Sequence, residues 1–173
     1  NSHGLSGQAI SRLPLETCQT MNGMWGYKVV DQNYKSTKTL VRYLVSTAAK
    51  GANLLLNVGP QPNGELPEVA IERMKAMGEW MAKNGESVYG TVAGDIPQHD
   101  WGCTTRKGDK LYVHIFELDH DVLYLPYEGK VVSAKALVSG EKIKFQSVKG
   151  GILLEVGELG EDNIDFVVEL RTK

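Results

Sequence analysis

LETCQTMNGMWGY at residues 15–27 and GANLLLNVGP at residues 51–60 decide how this chain is read. Each ends a short apolar run in a cluster of polar, aromatic or glycine residues. Parallel strands deliver side chains to a site at their C-terminal ends in this way. No local structural need explains Glu16, Cys18, Asn22, Trp25 and Tyr27 crowded into so few positions.

Between the two segments the period becomes helical. Leu40 and Leu44 are four residues apart, as are Val41 and Val45, with Ala48 completing the face. This predicts a helix over 38–50, with Ser36 or Thr37 capping free backbone N–H groups at its start. Lys50 suits the negative end of the dipole, and Gly51 suits a left-handed stop. NLLLNV, at 53–58, is apolar on both faces and reads as a strand buried on both sides, as in a parallel sheet. Gly59-Pro60 ends it, and QPNGEL forms a tight polar loop. Pro67 then suits the first position of a second helix. That helix carries Ile71, Met74, Met77 or Gly78, and Met81 at helical spacing, and Asn84-Gly85 closes it. The first half is thus a βαβα unit, which implies a parallel sheet with helices outside.

After Gly94 helical spacing gives way to short runs. Strands are predicted at 111–118, 122–125, 131–138, 142–147, 152–156 and 164–170, separated by turn signals such as YEGK, SGEK and LGEDN. Such spacing without helices predicts an antiparallel β-sandwich. The fold class is therefore α/β followed by all-β, with residues 1–94 and 95–173 as the two units. Two βα units cannot close a barrel, which takes roughly 250 residues. The first half is expected to be the end of a larger barrel or to need a partner.

Composition narrows the function. The net charge is −2, with no basic face, so nucleic acid is not an expected partner. No apolar run reaches the roughly 20 residues that span a bilayer, so no membrane partner is expected, and no signal peptide is visible. The abrupt start NSHGLSGQ reads as that of a fragment. Cys18 and Cys103 form no CxxC pair, and Cys18 reads as a small buried residue. His3, His99, His114 and His120 lack ligand spacing, so no metal is expected. No phosphate-binding glycine motif occurs, and no cofactor is implied.

Several residues are candidates for chemistry. Glu16, between apolar neighbours, has surroundings that favour a general acid, or it pairs with Arg12 or with backbone amides. Trp25 lies in a glycine-flanked loop, where its ring can meet the apolar side of a sugar or cover the strand ends. Tyr27 has the same two readings. Asn53 and Asn57 can orient a substrate hydroxyl or satisfy loop carbonyls. In the sandwich, Trp101, Tyr112, Tyr124 and Tyr127 could stack on a glycan. That would make the chain a non-enzymatic carbohydrate-binding or structural module.

LPLETCQTMNGMWGY, YKSTKTLVRYLV, KGANLLLNVGPQPNGELP and GEWMAKNGESVYGT recur in an order that closely resembles the C-terminal third of bacterial α-L-fucosidases of glycoside hydrolase family 29. The resemblance runs from about residue 13 to 91. It implies the last two βα units of a (β/α)8-like barrel followed by a β-sandwich. It also implies an exo-acting retaining hydrolase of terminal α-L-fucose, periplasmic or secreted, with fucosylated glycans and the N-terminal remainder of the barrel as partners. One carboxylate attacks the anomeric carbon and a second protonates the leaving oxygen. The family's nucleophile is an Asp on an earlier strand, outside this chain, as are the histidines that hold the fucose hydroxyls. The chain alone is therefore expected to be inactive. The family's acid/base Glu often lies in the loop before ETC, yet SHGLSGQAISRLP has no acidic residue. Either Glu16 is the donor or the donor precedes Asn1, and Glu16's place inside the strand motif favours the second. The resemblance puts Trp25 at the fucose methyl pocket; Tyr27 and Asn57, from their own places in the sequence, are further substrate-binding candidates. Leu15 stands where a common variant of the motif has Trp.

Overall fold

A computed structural model describes residues 14–173. Most of the expected N-terminal loop, with His3 and Arg12, lies outside the described residues. Strand β1 (Leu15–Thr20) pairs in parallel with β2 (Ala52–Asn57), Glu16 opposite Asn53 and Thr20 opposite Asn57. Helices α1 (Thr37–Ala48) and α2 (Glu68–Asn84) follow the two strands. Ser36 caps α1, its Oγ accepting from Thr39 N at 3.1 Å. Gly51, at φ 68°, takes the left-handed conformation after the helix. Lys50 lies beyond the last turn of α1, and Pro67 sits one residue before α2, each displaced slightly from its expected position.

The parallel pair is covered on one face only. Leu56 and Val58 pack with Met21, Leu40 and Ala70, on the helix side. Because strand side chains alternate, Glu16, Cys18, Asn53 and Leu55 point the other way. All four are exposed, Leu55 by 44%. The expectation of a strand buried on both sides is therefore corrected within this chain, as is that of a buried Cys18. No second layer of the described residues covers that face.

The second helix also differs from its expected face. Ile71 and Met74 are 38% and 48% exposed, whereas Ala70, Trp80 and Asn84 are buried, with Met77 and Met81 packed beside them. Spacing marked an apolar stripe, but two surfaces compete for this helix: the β1–β2 pair takes Ala70 and the sandwich takes Trp80.

The sandwich half forms two antiparallel sheets. One contains β3 (Val92–Ala93), β4 (Gly102–Lys107), β5 (Lys110–Ile115), β10 (Phe166–Thr172) and β7 (Val131–Ala136), in that order. The other runs β6 (Val122–Leu125), β9 (Gly151–Glu155), β8 (Lys144–Val148). Leu111, Val113 and Ile115 meet Leu123, Leu125, Ile152 and Leu154 between the sheets. The alternate residues of the larger sheet, with Tyr112 and Val167 at their centre, pack on Val41, Val45 and Trp80. The helices thus lie between the parallel pair and the sandwich.

β4 escaped the sequence reading because GCTTRK has no large apolar residue. Its threonines are nevertheless buried, with Thr104 Oγ1 donating to Ile96 O at 3.0 Å and Thr105 Oγ1 donating to Ser87 O at 2.6 Å. Internal partners remove the cost of burying those hydroxyls.

Candidate active site

Parallel pairing puts the C-terminal ends of β1 and β2 on one edge, and the loops that leave them are knitted together. Met21 N donates to Asn57 O at 3.2 Å, carrying the pairing one step past the strands. Asn57 Nδ2 donates to Trp25 O at 2.6 Å. Gly59 lies so close to the first loop that a Cβ there would stand 2.5 Å from Tyr27 N and 2.7 Å from Gly26 C. Only glycine permits that approach of two backbones. Its role was missed in the sequence, where Gly59-Pro60 signalled only a strand end.

Three of the residues singled out in the sequence therefore share this edge. Trp25 presents its ring to solvent at 58% exposure, Tyr27 is half-buried, and Asn57 lies between the strands' ends. The Tyr34 phenol is held above its ordinary value by burial, then by the charges of Asp31 and Tyr27. Of the two uses open to Asn57, its amide nitrogen is occupied with a loop carbonyl.

Glu16 is not brought to this edge. It is the second residue of β1, four positions before Thr20, or about 13 Å down the strand. Its side chain lies on the uncovered face beside Cys18, and it is exposed. Leu15 points to the opposite face, so that apolar neighbour in sequence does not cover this carboxyl in space.

The sandwich aromatics do not gather into a platform. Tyr112 is fully buried and donates to Glu86 Oε1 at 2.8 Å. Tyr127 Oη accepts from Arg106 Nη2 at 3.2 Å. Trp101 stacks on His99, with ring centroids 5.6 Å apart. Only Tyr124 of the four is exposed, its hydroxyl bonded to Gly150 O at 3.0 Å. Of the histidines, His114 is buried, 2.7 Å from Asp165 Oδ2 and 3.2 Å from Thr105 Oγ1. Among the described residues no cluster of three or more His, Cys, Asp or Glu could hold a metal ion. No described helix is long and apolar enough to cross a membrane.

A parallel βαβα unit braced by an antiparallel sandwich recurs in known proteins. A family model described as alpha-L-fucosidase matches residues 3–86. The alpha-L-fucosidase of Dictyostelium discoideum is 31% identical over 155 residues, covering 82% of this chain and 34% of that protein. Human plasma alpha-L-fucosidase is 31% identical over 157 residues, covering 83% and 34%. Among solved structures, alpha-L-fucosidase isoenzyme 1 from Paenibacillus thiaminolyticus superposes with a TM-score of 0.86 at 34% identity, covering 93% of this chain and 40% of that one. The alpha-L-fucosidase of Vibrio sp. strain EJY3 gives 0.83 at 27% identity, covering 95% and 30%.

These relatives are glycoside hydrolases, and the likeness takes in both the helical and the sandwich half. The chain spans about a third of the length of the curated relatives it matches. It belongs to the alpha-L-fucosidase family.

Proposed function

We propose that this chain is the C-terminal part of a retaining exo-α-L-fucosidase, supplying the last two βα units of a (β/α)8-like barrel and the β-sandwich behind them. One observation carries the reading. The parallel pair has helices on one face, a bare opposite face, and Trp25, Tyr27 and Asn57 on the edge where parallel sheets hold their sites. Further strands beside β1 and β2 would turn that bare face into a barrel interior.

In this reading Trp25 contributes an apolar surface to a terminal fucose on a glycoconjugate, and Asn57 holds the loop that carries it. Retention needs two carboxyl groups roughly 5 Å apart, one attacking the anomeric carbon and the other protonating the leaving oxygen. The attacking carboxylate comes from a strand outside this chain. The place of Glu16, about 13 Å below the strand ends, favours a proton donor from polypeptide preceding Asn1. The partners are fucosylated glycans and the rest of the barrel.

Two measurements test this. The isolated chain should release no nitrophenol from a nitrophenyl α-L-fucoside, and turnover by the clean chain would overturn the division of labour. In the intact enzyme, Trp25→Ala should raise KM for fucosides by about tenfold, the scale of a lost aromatic contact of about 1.4 kcal/mol. An unchanged KM would remove Trp25 from the site.

A further inference from the structure

The loop that carries Trp25 has no helix or strand of its own between Thr20 and Thr37, yet its root is held at three consecutive carbonyls by one residue. Lys35 Nζ donates to Thr20 O at 2.7 Å and to Asn22 O at 3.2 Å. The backbone N–H of Lys35 donates to Met21 O at 2.7 Å. Lys35 is itself fixed from behind, its carbonyl accepting from Arg73 Nε of α2 at 3.1 Å. The middle of the loop is closed by Asp31. Its Oδ2 accepts from Gly23 N at 2.9 Å and its Oδ1 from Asn33 N at 3.4 Å. Asn57 then takes the carbonyl of Trp25.

Water could satisfy the same carbonyls without ordering a long side chain and losing its rotamer freedom. Water cannot fix the carbonyls relative to one another or to α2. The arrangement also works against the charge it uses. Burial disfavours the ammonium form of Lys35, partly offset by Asp31. A cation held at that cost, at the root of a loop whose tip exposes an aromatic ring, is suited to presenting that ring.

We infer that Lys35, with Asp31, is a positioning residue that sets the Trp25 ring on the strand-end edge for the apolar side of a deoxy sugar. This rests on the proposed sugar contact of Trp25. Lys35 touches no substrate in this scheme and acts through the loop.

In the intact enzyme labelled with 5-fluorotryptophan, Trp25→Phe, Trp80→Phe and Trp101→Phe identify the fluorine resonances of the three tryptophans of this chain. Lys35→Met should shift or broaden the Trp25 resonance while those of Trp80 and Trp101 stay in place. Lys35→Arg should restore it. In the intact enzyme Lys35→Met should raise KM for a nitrophenyl fucoside by about tenfold, with a smaller change in kcat. A Trp25 resonance that overlays the wild type in Lys35→Met overturns the inference. So does collapse of all three resonances in both Lys35→Met and the milder Lys35→Gln, which would make Lys35 a support of the whole fold. A moved resonance with an unchanged KM overturns the sugar contact at Trp25 and leaves the anchor standing.

Discussion

Gly59→Ala tests whether the two strand-end loops form one unit. The added methyl would sit 2.5 Å from Tyr27 N and 2.7 Å from Gly26 C, both backbone atoms that no rotamer change can move. Ordinary contact begins near 3.4 Å, so the two loops must part by about 0.9 Å, a displacement on the scale that costs an active site up to about 100-fold. The same movement lengthens the 2.6 Å bond from Asn57 to Trp25. Overpacking of this kind destabilises by about 1–3 kcal/mol, and for a chain of this size each kcal/mol lowers Tm by about 3 °C. The expected result is a Tm lower by several degrees and, in the intact enzyme, a KM for fucosides raised at least about tenfold. Thermal unfolding followed by circular dichroism and initial rates on a nitrophenyl fucoside provide the two readings. A Gly59→Ala variant with wild-type Tm and KM would refute the claim that these loops are packed against each other at the site.

Further expectations concern the seam between the helices and the sandwich. Arg42 of α1 reaches across it. Nε donates to Ile164 O at 2.8 Å, and Nη2 to Phe116 O and Asn163 O at 2.6 and 3.1 Å. Arg42→Met keeps most of the stem and removes these charged bonds, and should cost about 2–4 kcal/mol in urea unfolding. Glu117→Gln, which alters the exposed ion pairs with Arg42 and Lys38, should cost under about 1 kcal/mol. Glu86 is held below its ordinary value by hydrogen bonds from Lys110 and Tyr112. Its contribution is present above the unfolded value of 4.5 and is lost as pH falls through the lower folded value. Glu86→Gln should therefore flatten the acid limb of a stability–pH curve. Tyr112 is shifted upward, by burial first and then by Glu86, so its contribution is full below the unfolded value of 10.0 and is lost as pH rises towards the higher folded value. Tyr112→Phe should weaken the alkaline loss of stability, measured by urea unfolding between pH 9 and about 11.

Much of the architecture was legible because it rests on local signals. The two helices showed themselves by period, the cap at Ser36 by residue type and Gly51 by its freedom at positive φ. Six of the sandwich strands showed themselves by apolar runs between turns. β4 was hidden because its buried threonines find partners far away in sequence, at Ser87 and Ile96. The buried side of α2 was hidden because spacing reports an apolar stripe without reporting which surfaces will meet it.

The same division runs through the candidate site. Residue type at the two strand ends, in LETCQTMNGMWGY and GANLLLNVGP, was enough to single out Trp25, Tyr27 and Asn57, because glycine breaks, aromatics and amides signal chemistry within a few residues of one another. The sequence alone also determined the βαβα order and the following run of strands, since both arise from periodicities of 3.6 and 2 that adjacent residues set. Only the tertiary structure decided that Asn57 grips the Trp25 loop, that Lys35 roots it, and that Glu16 lies a strand's length away. Those facts depend on parallel register and on contacts between segments 13 to 32 residues apart in sequence, which no local pattern encodes.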